Sequence, residues 1–298
     1  MESLSDAFGI VSNNRWIGDA VPIKAGDACR ILDGEGNALL TGYIDSIDLA
    51  VGENITIRGR DKAGDLIDCT VDGSGEFAGL TLKEIITRIA SPFGIKVLGE
   101  EGTKITRFRY GLNEPAVDII RELVTRQGFL CNSNSDGDLV IERAGSTKAA
   151  FVLLEGNNII KGKGVVSAMR RRSSYTTTGQ SSVSNTVAST FEGKSTRYRP
   201  LATINSGDIE IQDAQTSSEW MGRIADGSST EFQITVADIQ SINPNTLIEC
   251  ESISLGIHGT MLIKGVTKTV NREGSTTSLS IVDPYTFGLD YVGNDFLP

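Results

Sequence analysis

The hydrophobic period of this chain changes twice, and that constrains its fold more than any single motif. From Val21 to Gly59 short alternating runs ("ACRIL", "ALLTGYIDSIDLA", "ITIRG") are separated by the turn-formers "DGEGN" and "GEN", the pattern of a β-meander. Beyond Gly59 the period lengthens. In "LTLKEIITRIASP" Leu82, Ile85, Ile86, Ile89 and Ala90 share one helical face, Thr81 and Glu84 form a capping box, and Pro92 stops the helix. A second helix is predicted in "NEPAVDIIRELVTRQG", with Pro115 in its first turn, Ala116, Ile119, Ile120, Leu123 and Val124 as its buried stripe, and Gly128 as its cap. "FLCNSNSDGDLVIE" reads as a hairpin. Strands return with "AAFVLLEG" and "GVVSAMRRRSSY", and "TTTGQSSVSNTVAST", with almost nothing apolar to bury, is expected to be a mobile loop. One more helix is predicted in "DAQTSSEWMGRIADG", with Ala214, Met221, Ile224 and Ala225 on one face and Gly227 at its end; strands and turns complete the chain. The plan is β, then α/β, then β.

At 298 residues the chain is long enough for two domains and too long for one hydrophobic core. Its 33 Gly against 7 Pro agree with a turn-rich β protein. No run approaches the roughly 20 apolar residues that span a bilayer, and "MESLSDAFGI" lacks the basic start and apolar stretch of a signal peptide, so a cytoplasm-like compartment is expected. Cys29, Cys69, Cys131 and Cys250 form no C-x-x-C pair and are expected to be buried free thiols.

The net charge of -10 argues against a general nucleic-acid binder, but the charge is unevenly placed. Between Lys161 and Arg199 eight basic residues face one acid, Glu192, so that stretch carries +7 and the rest -17. No aromatic interleaving accompanies it, Tyr175 standing alone, so Arg170, Arg171, Arg172, Arg197 and Arg199 are expected to contact an acidic partner surface rather than nucleic acid.

Candidate chemistry is weak elsewhere. "GSGEFA" (Gly73 to Ala78) fits G-x-G-x-x-A after a possible strand "DLIDCTV", with Glu100 and Glu101 downstream, but the capping box starts the helix at Thr81, too late to face a pyrophosphate. "NSNSDGDLVIER" places Asn132, Asn134, Asp136 and Asp138 like calcium ligands, yet Arg143 stands where a bidentate carboxylate is needed, which favours a plain hairpin turn. His258 is the only histidine, there is no G-x-S-x-G, and no carboxylate pair stands out. No catalytic residue, cofactor or metal is expected, and the chain is read as a non-enzyme.

The most conspicuous charged stretch is "GRDKAGDLIDCT", Gly59 to Thr70. Together with "LLTGYIDSIDL" before it and the capped helix after it, it resembles the baseplate hub proteins of Mu-like contractile phage tails, the phage tail protein P or 43-kDa tail protein family. "NEPAVDIIRELVTRQGFL", "DGDLVIER", "LLEGNNIIKGKG", "SSYTTTGQ", "RYRPLATI" and "MLIKGVTKTVNREGSTTSLSIVDPYTF" extend the likeness, in the same order, over nearly the whole chain. Members of the family carry a strand or hairpin upstream of where this chain begins, so "MESLSDAF" reads as a start partway into the first sheet.

The resemblance implies a mainly β fold with an α+β insert: two β-barrel domains of the phage tail hub type plus a small α/β domain. The expected division is residues 1–65 as the opening strands of the first barrel, 66–145 as the α/β insert, 146–196 as the return to the first barrel with the mobile loop, and 197–298 as the second barrel. It also implies a homotrimer whose six barrels join a six-fold tail tube protein to a trimeric tail spike protein, placed in the virion baseplate after assembly in the bacterial cytoplasm, with no membrane span and no sequence-specific nucleic acid. Gly59 to Thr70 is then the joint between the first β-unit and the insert, with Arg60 pairing Asp65 or Asp68 while Leu66 and Ile67 anchor the turn. Two other classes stay open: a tail-associated cell-wall hydrolase and a carbohydrate-binding β-module.

Overall fold

The computed structural model of the chain describes residues 4–13, 23–50, 54–73, 75–181 and 185–288. It divides into two compact units, one made of Glu2–Val124 and Cys131–Ile141, the other of Thr125–Leu130 and Glu142–Pro298. Strands dominate, as the alternating period requires.

In the first unit β1 (Ala7–Asn13), β2 (Ala28–Leu32), β3 (Ala38–Asp48) and β4 (Asn54–Asp61) form an antiparallel sheet in the order β1-β4-β3-β2. Alternation carries Ile44, Ile55 and Ile57 to its inner face, where Phe8, Ile23, Cys29 and Ile47 pack on them. Two glycines set how close the central strands come. A Cβ on Gly42 would lie 2.0 Å from the Arg60 carbonyl oxygen, and one on Gly59 would lie 2.1 Å from that of Tyr43. After β4, α1 (Gly64–Asp68) occupies part of "DLIDCTV", where a strand was expected. The backbone there bonds back along the chain, the Leu66 amide to the Ala63 carbonyl at 3.1 Å and the Cys69 amide to the Asp65 carbonyl at 2.9 Å, so the segment is a helical turn.

The same unit continues with β5 (Glu76–Thr81), α2 (Leu82–Ala90), β6 (Val97–Gly99), β7 (Lys104–Arg109) and all but the end residues of α3 (Ala116–Arg126), β8 (Leu130–Ser133) and β9 (Leu139–Glu142). β5 pairs β7, and β6-β9-β8 make a second small sheet. α2 opens on the expected capping box: the Thr81 hydroxyl accepts from the Glu84 amide at 3.2 Å and the Glu84 carboxylate from the Thr81 amide at 2.8 Å. Ile85, Ile86, Ile119, Ile120 and Leu123 are fully buried, each worth about 1.5–3 kcal/mol of transfer free energy.

The second unit holds β10 (Thr147–Lys148), β11 (Leu153–Leu154), β12 (Ile159–Val166), β13 (Ser174–Ser181), β14 (Asn185–Glu192), β15 (Pro200–Asp208), α4 (Ile211–Gly227), β16 (Thr230–Ala237), β17 (Thr246–Ser252), β18 (Ile257–Asn271) and β19 (Gly274–Val282). Its main sheet runs β10-β17-β18-β19-β16-β12, with β11 also on β17. Phe232, Ile234, Ile248, Met261, Ile263, Leu279 and Ile281 form its core.

This corrects the expected return of residues 146–196 to the first barrel. β10, β11 and β12 all join the sheet of β16 to β19, and among the described residues none pairs with β1 to β4. The reason is steric fit. A Cβ at Gly164 would lie 2.7 Å from the Phe232 ring and one at Gly162 2.9 Å from Leu255, so the glycines of "KGKG" let β12 lie over large side chains of that sheet. The sheet therefore begins at Thr147, not after Arg197, and β15 and α4 belong to another layer.

That layer is the sheet β14-β13-β15 with α4 packed on it. Over its described residues the polar run expected as a mobile loop is instead the strand pair β13 and β14, held in register from Ser174↔Glu192 to Ser181↔Asn185; 182–184 lie outside the described residues. A backbone ladder needs no apolar side chains, and Tyr175, Thr177 and Val187 are among the buried positions that anchor it. The face of α4 also differs from expectation. Ala214, Ser217, Ser218, Trp220 and Gly222 are buried, while Met221, Ile224 and Ala225 are half-buried. Small residues let the helix approach closely: a Cβ on Gly222 would sit 2.3 Å from the Phe191 ring.

Candidate functional site

The Gly59 to Thr70 stretch is built as a joint. Arg60, the penultimate residue of β4, donates through Nε to Asp45 at 2.7 Å and through Nη2 to Asp68 at 2.6 Å, tying β3 and α1 to one side chain. The Asp68 partner was expected; in place of Asp65 the other partner is Asp45. Asp45 sits where the β3–β4 register shifts between Ile44 and Ser46, and that bulge gives the strand the extra residue that meets Arg60. The Arg60 hydrogen bond holds the Asp68 carboxyl below its ordinary value. Asp61 is buried and accepts from the Ser5 hydroxyl at 2.6 Å and the Asp6 amide at 3.0 Å, which anchors the start of the described chain to β4. Leu66 is fully buried and Ile67 half-buried. Cys69 is exposed and only Cys250 buried, which corrects the expectation of four buried thiols; Cys69 follows α1 on the exposed run Asp68 to Thr70.

The calcium-like turn is used by the same unit for packing. The Asn134 side-chain oxygen accepts from the amides of Asp136 and Asp138, both at 3.0 Å, closing the turn. Asp136 lies 3.6 Å from Arg30, Asp138 lies 3.8 Å from Lys62, and the Thr41 hydroxyl donates to the Ser135 carbonyl at 2.9 Å. Among the described residues no group of three or more His, Cys, Asp or Glu is placed to hold a metal. In "GSGEFA" the strand β5 intervenes between the glycines and α2, so no helix N-terminus meets the motif. His258 is exposed on β18, its Nδ1 2.9 Å from Glu251 of β17.

The basic stretch is divided in its use. Arg171 donates through Nε and Nη2 to the Ser229 hydroxyl at 2.9 and 2.6 Å, Arg172 to the Met169 carbonyl at 3.0 Å, and Arg199 to the carbonyls of Ala168 and Met169 at 3.0 and 2.9 Å. These three close the connection between β12 and β13, while the side chains of Arg170 and Arg197 are exposed. Tyr175 is buried, its hydroxyl accepting from the Arg172 amide at 3.0 Å, so it is a core residue rather than a base-stacking platform. Sequence reasoning missed Asp226, near the end of α4. It is buried, accepts from the Lys194 amide at 3.3 Å, and has its carboxyl pushed above the ordinary range by burial. Only its place on the helix face, opposite the Lys194 turn, makes it special, and no local motif marks that.

A site made of ion pairs, turns and exposed strands is suited to holding proteins together, and the comparisons agree. The family model described as "Baseplate hub protein gp44-like, second domain" matches residues 63–143. The baseplate hub protein gp44 of Escherichia phage Mu is 30% identical over 275 residues, an alignment covering 83% of this chain and 72% of that protein. The chain belongs to the gp44-like family of phage baseplate hub proteins. Among solved structures, the 43 kDa tail protein of prophage MuSo2 from Shewanella oneidensis is 30% identical, with a TM-score of 0.82 over 96% of this chain and 92% of that one. A tail protein from Neisseria meningitidis MC58, 19% identical, shares the fold with a TM-score of 0.80 over 96% of this chain and 91% of that one. The segment 63–143 runs almost alongside the stretch 66–145 that carries the change of hydrophobic period. The gp44-like hub is thus a mainly β protein with few helices, and no helix among the described residues is long and apolar enough to cross a membrane.

Proposed function

We propose that this chain is a non-enzymatic structural hub of a contractile phage or prophage tail: a homotrimer that joins a six-fold tail tube to a three-fold spike. The observation that carries the proposal is the likeness of nearly the whole chain to a 43 kDa prophage tail protein. Three copies match a six-fold tube when each offers two comparable β surfaces. In this chain those surfaces are the sheet of β1 to β4 and the sheet of β10 to β12 with β16 to β19. The exposed arginines Arg170 and Arg197 serve as partner contacts, and Arg171, Arg172 and Arg199 hold the connection that presents them. Assembly takes place in the bacterial cytoplasm before incorporation into the baseplate.

The test is the mass of the purified protein by light scattering, alone and with the trimeric spike protein. A trimer in either condition supports the hub; a monomer at high micromolar concentration in low salt, unchanged by spike, overturns it. Clearing of a peptidoglycan suspension that is lost on neutralising one carboxylate would favour the hydrolase instead.

A further inference from the structure

The main sheet of the second unit ends, at one side, in a basic strand. β12 carries Lys161 and Lys163, both exposed, and their cross-strand neighbours on β16 are the uncharged Thr235 and Gln233. Among the described residues neither lysine has a carboxylate partner within ion-pair distance. Among the described residues β12 is hydrogen-bonded along one edge only, and Ile160, Val165 and Val166 are each about 60% exposed on it. A strand at the side of a sheet that carries exposed apolar side chains and positive charge is a surface prepared for another chain.

Toward the other end of the same strand path lies an acidic strand. β17 exposes Glu249 and Glu251, whose partners are the Thr260 hydroxyl at 2.7 Å and the His258 ring at 2.9 Å, and among the described residues no Lys or Arg lies within ion-pair distance of either. Beside it Ile253 is 86% exposed at the tip of the β17–β18 turn. That tip is rigid. The Glu155 carboxylate accepts from the Ser252 hydroxyl at 2.8 Å, the Ser254 amide at 2.9 Å and the Ser254 hydroxyl, which holds its carboxyl down at about 2. An apolar residue held out on a fixed turn gives up little entropy on docking.

We infer that these two surfaces are complementary halves of one interface between copies of this chain, β12 of one subunit meeting β17 and the Ile253 turn of the next. The inference rests on the trimeric reading and supplies its contact. Two different patches that fit each other make a head-to-tail contact, which closes a ring of three when each contact turns the next copy by a third of a turn. A second copy is the occupant the charges favour. It carries the same acidic strand, and outside the +7 stretch the chain has a net charge of -17. Of the basic residues in that stretch, Lys161 and Lys163 are the pair on a regular strand edge, whereas Arg171, Arg172 and Arg199 are engaged within their own chain.

The experiment is sedimentation velocity of the full chain at 50 mM and 500 mM NaCl. The variants are Lys161→Glu with Lys163→Glu, Glu249→Lys with Glu251→Lys, and all four together; far-UV circular dichroism checks folding. All four positions are exposed, so the melting temperatures should stay near that of the original chain. Each double reversal should weaken trimerisation about tenfold or more at 50 mM salt, and the fourfold variant should restore it. Ile253→Asp should weaken it at both salts. A trimer that survives either double reversal, or a fourfold variant no better than the doubles, overturns the inference while leaving the hub reading intact. An original chain that forms no trimer, alone or with the spike protein added, overturns the hub reading instead. Loss of spike or tube binding with an unaltered trimer would assign these strands to another partner and refute the contact proposed here.

Discussion

Replacing Arg60 and Leu66 separately decides what holds the joint between the meander and the helical segment. Arg60→Ala removes two ion pairs whose carboxylates, on Asp45 and Asp68, are 40% and 55% exposed, so solvent screens both. Exposed pairs are worth about 0.2–1 kcal/mol each. Adding the packing of the arginine stem beside Gly64, where a Cβ would already lie 3.1 Å from the Arg60 Cβ, brings the expected loss to about 1–2 kcal/mol. Leu66→Ala empties a fully buried site and should cost about 3 kcal/mol. Urea unfolding followed by circular dichroism measures both, and amide exchange in peptides covering Gly59 to Thr70 localises them. The arginine effect should shrink by about half in 1 M NaCl, where the screening length is about 3 Å, and the leucine effect should not shrink. Asp68 gives the pH side of the same pair. Its folded carboxyl is depressed, so its contribution is present above the ordinary value of 3.8 and is lost as pH falls through the lower folded value; Asp68→Asn should remove that loss. An Arg60→Ala variant that keeps its stability but no longer assembles would refute the joint and make the stretch a docking site.

Asp226 behaves oppositely. Burial raises its folded carboxyl above 3.8, so the folded state is favoured at low pH and loses that advantage as pH rises through the folded value; Asp226→Asn should raise the urea midpoint at pH 8 and change little at pH 4, and a lower midpoint at pH 8 would mean the charge is used by Lys194 or Arg171. Gly164→Val should cost about 1–3 kcal/mol because its side chain meets the Phe232 ring, whereas Gly9→Val, with nothing within 4 Å, should cost far less; equal losses in a urea melt would remove the steric account of β12 pairing. Dialysis against a chelator should leave the melting temperature unchanged, since Asp136 and Asp138 face Arg30 and Lys62; a fall of several degrees would identify a bound cation.

Elements whose signal is local were legible. The capping box at Thr81 and Glu84, the stripe from Ile85 to Ile89 and the glycine after α3 each fix a boundary through neighbours within four residues. Pairing between distant strands was not. Nothing in "IIKGKGVV" states that its glycines lie against Phe232 and Leu255, so its membership of the later sheet is a property of the packed unit. The strands β13 and β14 were missed because burial was sought in apolar side chains, while the ladder and one buried tyrosine stabilise a polar hairpin against a helix of small residues. The bulge that brings Asp45 to Arg60 is likewise invisible in "YIDSID", where Asp45 and Asp48 look equivalent.

The division between inward and outward charge follows from side-chain chemistry. A guanidinium has five donors in a planar fork and can satisfy several oxygens at once, and Arg60, Arg172 and Arg199 each do so at a turn or joint where backbone or carboxylate oxygens converge. An ammonium is a compact, strongly hydrated charge that gains less from such crowding, and Lys161 and Lys163 remain on the strand edge. The consequence is a separation of strengths. Arginine contacts that end on backbone carbonyls or a hydroxyl, as those of Arg171, Arg172 and Arg199 do, change little with salt, while the ion pairs of Arg60 and attraction through exposed lysines are screened within about 8 Å at physiological ionic strength. Under the proposed trimeric reading, a subunit built this way stays folded in salt that weakens the contacts between copies, and can fold alone before joining its neighbours.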